Sequence, residues 1–175
     1  WARLSQVAVK GAQYNSSECQ PHLKCLQGTW ANLLTYIHQL LDREEKNQLI
    51  WLHGMAGVGK SAVAFTVAER MKGLKVTEET NVEKQLVGTF FFLRKHTKHC
   101  TAGYFFAMLA YQLANNFPSI WRDVNTVIHN NLTLLDPDTP LCDQMEAFLL
   151  KPLQWLRSRL HKCLPLTFVI DALDE

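Results

Sequence analysis

The chain has no CxxC pair among its five cysteines, and Cys19, Cys25, Cys100, Cys142 and Cys163 are an odd, widely spaced set. Neither a disulfide framework nor a structural zinc site is therefore expected. His22 falls between Cys19 and Cys25 in "CQPHLKC", but two thiols and one imidazole lack the fourth ligand of a closed zinc site. There is no Lys/Arg block and the formal net charge is only +2, so nothing electrostatic points to nucleic acid. The longest apolar stretches, "GTFFFL" and "YFFAMLAYQLA", are shorter than the roughly 20 residues that cross a bilayer. No secretory leader, internal repeat or low-complexity tract is visible. These absences lead us to expect a soluble, cytoplasmic protein with reduced thiols, partnered by neither membrane nor nucleic acid.

What is present is a chain of 175 residues, 47% hydrophobic and 19% charged, enough for one domain with a real core and too apolar for disorder. It begins with Trp1 rather than Met and stops at "VIDALDE", which leads us to expect a piece of something longer. Residues 1–28 read as a linker. From Thr29, a candidate N-cap, Trp30, Leu33, Leu34, Ile37, Leu40 and Leu41 follow helical spacing. "QLIWLHG" reads as a buried strand, and "SAVAFTVAERMKG" as a helix with Gly73 as its C-cap.

"LVGTFFFL" is β-branched and aromatic without polar alternation, as expected for a strand covered on both faces. Phe106, Leu109, Leu113 and Phe117 mark a helix that stops at Pro118, and Ile120, Val124, Val127 and Ile128 mark another. A third helical stretch runs from Leu141 to Leu160, with Pro152 as a kink or restart. "LTFVID" reads as a further buried strand closed by Asp171. Three apolar strands separated by helices predict an α/β domain with a mainly parallel sheet. The aromatic run Phe90 to Phe92, with Tyr104 to Phe106, has the spacing of core rather than of a base-stacking platform. "LRKHTKHC" (Arg94, Lys95, His96, Lys98, His99) reads as a solvated loop.

Between the first strand and its helix, residues 54–61 (Gly54, Met55, Ala56, Gly57, Val58, Gly59, Lys60, Ser61) match G-x-x-x-x-G-K-[ST]. Three glycines allow backbone conformations closed to other residues and bring N–H groups against phosphate oxygens. The helix start that follows favours an anion. Lys60 supplies a point charge for β- and γ-phosphates, and the Ser61 hydroxyl can coordinate Mg²⁺. A magnesium-dependent site also needs a carboxylate, and Asp171 closes a buried strand where ligands of parallel sheets bind. Asp174 or Glu175 could then orient and deprotonate an attacking water.

With "CLQGTW", "IWLHGMAGVGKS", "GTFFFLR", "FFAMLAYQLA", "LLKPL" and "FVIDALDE" in view, the chain resembles the NACHT domains of the STAND class of signalling NTPases, in their fungal-type, nephrocystin-like subgroup. Ala172 carries the specific part of the resemblance, a small residue after the metal-binding aspartate with the acidic pair two positions later. The resemblance implies a P-loop NTPase of three-layer α/β/α architecture, of which residues 29–175 would be the N-terminal part, ending at the Walker B strand. It implies that Gly57, Gly59, Lys60 and Ser61 bind phosphates and metal, and that Asp171, Asp174 and Glu175 serve Mg²⁺ and slow hydrolysis. It further implies a switch: ADP holds a closed monomer, ATP exchange opens it, and self-association follows. A sensor strand lying between the loop strand and the Asp171 strand, a helical lid and a winged-helix segment belong to the same pattern. His53 stands where relatives often have Asn. The expected function is thus ATP binding in a signalling switch, with slow Mg²⁺-dependent hydrolysis in the intact protein. The alternatives are a non-catalytic module or fragment and a P-loop small-molecule kinase.

Overall fold

Apolar residues recur every three or four positions along much of the chain, and most of its described length is accordingly helical. The computed structural model describes residues 2–8, 10–16, 24–26, 28–42, 49–72, 85–92, 102–159 and 166–172. In chain order the elements are α1 (Ala2–Val7), α2 (Ala31–Leu41), α3 (Lys60–Lys72), β1 (Gln85–Phe91), α4 (Phe105–Asn116), α5 (Trp121–Asn130), α6 (Leu141–Met145), α7 (Lys151–Arg159) and β2 (Leu166–Asp171). The protein is mixed α/β, and among the described residues its sheet consists of β1 and β2 alone, paired in parallel. Gln85 lies opposite Leu166 and Phe91 opposite Asp171, with a register shift between Leu86 and Gly88.

Successive strand side chains point to opposite faces, and the two faces are covered by different helices. Phe90 is buried with Met108 and Leu109 of α4, whereas Phe91 is buried with Phe65 and Ala68 of α3. On β2, Phe168 packs with the α4 clusters and Val169 with the α3 clusters. This two-sided cover is what the unalternating "LVGTFFFL" run predicts. The aromatic residues are core, with the Phe90 and Phe105 rings edge to face at 5.1 Å.

The outer edge of β1 is closed by side chains. Thr89 donates its N–H to Gln112 Oε1 at 2.9 Å and accepts from Gln112 Nε2 at 2.8 Å, while Val87 O accepts from Asn116 Nδ2 at 2.7 Å. Gln112 and Asn116 are one helical turn apart on α4, so the helix presents two amides to a strand edge that would otherwise hold buried, unpaired polar groups.

The expected strand at "QLIWLHG" is not one: residues 49–53 pair with no strand in the described structure. Ile50 and Leu52 pack against Leu34, Val63 and Val67, whereas Leu49 and Trp51 are 86% and 58% exposed. One face, not two, is buried, and no neighbouring strand supplies a ladder. The expected helix start is also displaced. Trp30, not Thr29, occupies the N-cap of α2, and the Thr29 hydroxyl instead donates to Leu26 O at 2.6 Å.

Residues 2–8 and 10–16, inside the segment read as a linker, are packed. Leu4 is fully buried in the cluster that holds Val87, Ala110 and Leu113, and Ala8 and Ala12 continue its spacing of four into the cluster of Phe90 and Met108. The Tyr14 N–H donates to Thr89 Oγ1 at 3.2 Å. Pro152 is buried in the first turn of α7, and ahead of it Glu146–Leu150 form a single π turn. A proline has no N–H to donate and crowds the carbonyl four residues back, and the widened turn is how the helix passes it. Gly73 and Leu160 lie outside the described residues.

Two outcomes follow. Gln112→Leu leaves the Thr89 N–H and C=O buried without partners, so its urea midpoint should fall by the equivalent of about 2–3 kcal/mol, and an unchanged midpoint would show that the edge is not sealed by this amide. Arg159 Nη1 bonds Asp123 Oδ2 at 2.6 Å, and this hydrogen bond holds the Asp123 carboxyl below its ordinary value against the opposing effect of burial. A depressed folded-state pKa contributes stability that is present above the ordinary carboxylate range and is lost as pH falls through the folded value. The difference in melting temperature between the parent and Asp123→Asn should therefore be small at pH 7 and close on acidification.

Candidate functional site

The turn at residues 54–59 is built on two glycines in the left-handed region, Gly57 at φ 81° and Gly59 at φ 93°, and leads straight into α3. Val63 N donates to Gly59 O at 3.0 Å, the first helical bond, so the N–H groups of Lys60, Ser61 and Ala62 have no partner within the helix. The Lys60 ammonium folds back over the loop and donates to Gly54 O at 2.8 Å and Met55 O at 3.1 Å. Both ends of the loop are thus drawn together around one positive charge. Residues 54–58 are exposed, and Gly59, Lys60 and Ser61 are half-buried.

Position and rotation of this loop are set by α3. Its Val63, Val67 and Met71 pack under Leu34 and Ile37 of α2, and Val169 of β2 joins the same cluster. Asp171 follows Val169 by two residues, so it lies on the sheet face that α3 covers, opposite Phe91 at the C-terminal end of β2. There it is half-buried, and its carbonyl accepts from Phe92 N at 3.3 Å. Ala172 takes φ 57° and turns the chain off the strand. A left-handed residue other than glycine costs roughly 1–2 kcal/mol, and a small side chain keeps that cost low. The structure therefore places Gly54 to Ser61 in one loop and helix start, and Asp171 on the strand face beneath that helix. Asp174 and Glu175 lie outside the described residues, as do Arg94, Lys95, His96, Lys98 and His99.

Residues 24–26 and 28–30 meet α3 and its loop at three places. Lys24 Nζ pairs with Glu69 at 2.6 Å, Cys25 N donates to Thr66 Oγ1 at 3.2 Å, and Trp30 reaches the loop. A Cβ built on Gly59 would lie 3.3 Å from Trp30 Nε1. Trp30 itself adopts φ 57° and is 46% exposed. Helical spacing assigns this residue to the apolar face of α2 and so misses its place beside the loop. The available signal was Gly28, which at φ 88° allows a tight turn just before a helix start.

As oxygen donors, the Ser61 hydroxyl and the Asp171 carboxylate suit a hard divalent cation such as Mg²⁺, and the free N–H groups at the head of α3 suit an anion. Among the described residues no cluster of three or more His, Cys, Asp or Glu could hold a metal by itself, and no helix is long and apolar enough to cross a membrane.

A family model described as "Nephrocystin 3, N-terminal" matches residues 27–175. No curated protein and no solved structure matches the chain.

The loop geometry alone makes an ordering testable without any ligand. Gly57→Ala meets open space and should lose only the conformational cost, roughly 1–2 kcal/mol, whereas Gly59→Ala bears that cost and also crowds Trp30. Urea midpoints should fall in the order parent, Gly57→Ala, Gly59→Ala, and equal midpoints for all three would contradict the left-handed turn.

Proposed function

The chain belongs to the nephrocystin 3 N-terminal family, and on that premise we propose that it is the nucleoside triphosphate-binding module of a STAND-type signalling switch. In this reading it is part of a NACHT domain with the three-layer architecture of a P-loop NTPase, taking ATP or ADP with Mg²⁺. The observation that carries the proposal is the loop itself. Two left-handed glycines lead into a 13-residue helix whose first N–H groups are free, and the lysine ammonium is gathered over the loop carbonyls. A glycine turn running into free helix N–H groups is the kind of donor set that receives an anion.

Each residue has a part in this reading. Gly54, Met55, Ala56, Gly57, Val58 and Gly59 present the loop backbone to the phosphates. Lys60 exchanges the Gly54 and Met55 carbonyls for β- and γ-phosphate oxygens. Ser61 and Asp171 would hold Mg²⁺, which when bound offsets negative charge on the phosphates. Asp174 and Glu175 orient a water and take its proton, giving slow hydrolysis. Turnover resets the switch, and exchange of ADP for ATP permits self-association of NTPase domains in the intact protein. A cytoplasmic site of action fits this reading.

The test is Mg-ATP titration of the parent and Lys60→Ala, read by calorimetry and by thermal shift. At about a thousand times its dissociation constant a ligand stabilises the folded state by roughly 4 kcal/mol. Parent binding with loss in Lys60→Ala supports the proposal. Equal behaviour of the two proteins refutes it, and phosphate transfer to an added small acceptor would favour a kinase instead.

A further inference from the structure

Resting on the phosphate-loop reading, we propose that Trp30 is an additional phosphate-binding residue, its indole N–H donating to an oxygen of the anion held at Gly59. The indole nitrogen lies 3.3 Å from where a Cβ on Gly59 would sit, beside the loop residue whose own N–H faces the cradle in this type of turn. An indole N–H can only donate. Trp30 makes no side-chain hydrogen bond among the described residues, and the ring is 46% exposed rather than sealed in the core.

The backbone that carries the indole is tied on both sides. Lys24 and Cys25 tie the preceding segment to Glu69 and Thr66 of α3, and Thr29 closes the turn onto Leu26 through both its N–H and its hydroxyl. Leu34 N then donates to Trp30 O at 2.8 Å and starts α2. A side chain carried on a tied backbone has less freedom to lose when it meets an acceptor. The N-cap of α2 thus brings the Trp30 indole beside Gly59, the residue directly ahead of Lys60 and the start of α3.

The probes are Mg-ATP and inorganic tripolyphosphate, titrated calorimetrically into the intact protein, Trp30→Phe and Lys60→Ala. Trp30→Phe keeps an aromatic ring and removes the N–H. It should weaken both probes alike, by roughly tenfold, the share of one hydrogen bond to a charged acceptor at a half-exposed site. Unchanged affinity for both overturns the assignment. Weakening of Mg-ATP alone overturns it too, because the ring would then be meeting base or ribose. Loss of binding in Lys60→Ala with none in Trp30→Phe removes only this inference, whereas equal binding by the parent and Lys60→Ala removes the underlying reading as well. A measurement on the parent needs no variant to fold. The chain has five tryptophans, and in a ¹⁵N-indole spectrum one N–H resonance should move downfield on adding tripolyphosphate; no movement in any of the five contradicts the proposal.

Discussion

A sheet of two strands has two outer edges, and buried edge groups left unpaired cost about 1–3 kcal/mol each. In this protein the β1 edge is closed by the amides of Gln112 and Asn116, and much of the remaining structure follows from that closure. Both residues must face the strand, which fixes the rotation of α4 about its axis. With the rotation fixed, Leu109 meets Phe90, and Leu113 joins Val87 and Leu4 in the larger cluster. Leu4, Ala8 and Ala12 pack on the same side, with the Tyr14 N–H on Thr89 Oγ1. With the β1 edge occupied by these side chains, the β2 edge is the one at which a further strand could pair.

On the other face of the sheet α3 carries the connections. It buries Val63, Val67 and Met71 toward α2, Phe65 and Ala68 toward β1, and it receives Val169 from β2. Polar ties run along it as well, from Glu69 at its C-terminal half through Thr66 to the loop at its start. A helix packed in this way moves as a body with the strand face bearing Asp171. The loop at its head is therefore positioned relative to that carboxylate by core packing, even though the loop residues themselves are exposed.

Legibility in the sequence tracked how local each signal was. The loop pattern, α3, α4, α5 and both strands of the sheet rest on spacing within a dozen residues, and all were readable. Asp171 was readable because its strand ends in an abrupt change from apolar to acidic. Residues 49–53 misled because an apolar run shows hydrophobicity but not whether a neighbouring strand exists, and here Leu49 and Trp51 face outward. The packing of Leu4, Ala8 and Ala12 was hidden because they make a weak stripe whose partners in β1 and α4 lie some 80 to 110 residues away. Trp30 fits the helical period of the apolar face of α2. Its left-handed backbone and its approach to Gly59 depend on the turn before it and on α3, neither of which the period encodes. The π turn before Pro152 could be anticipated as a kink but not as a particular geometry.

The loop holds the Lys60 charge in place through its own carbonyls. Lys60 donates to two carbonyl oxygens of its own loop, so its four-carbon stem has already given up rotamer freedom worth about 2 kcal/mol. Carbonyl oxygens carry partial charge and phosphate oxygens carry whole charge, and Coulomb attraction at a given distance scales with that charge. An anion reaching the loop can therefore replace the carbonyls with little side-chain reordering. Glycine does for the backbone what the folded-back lysine does for the side chain: Gly57 and Gly59 adopt their left-handed turns without the cost a Cβ would bring. The exposed loop is in this sense set by its own local chemistry, while its alignment with Asp171 is set by the core beneath α3.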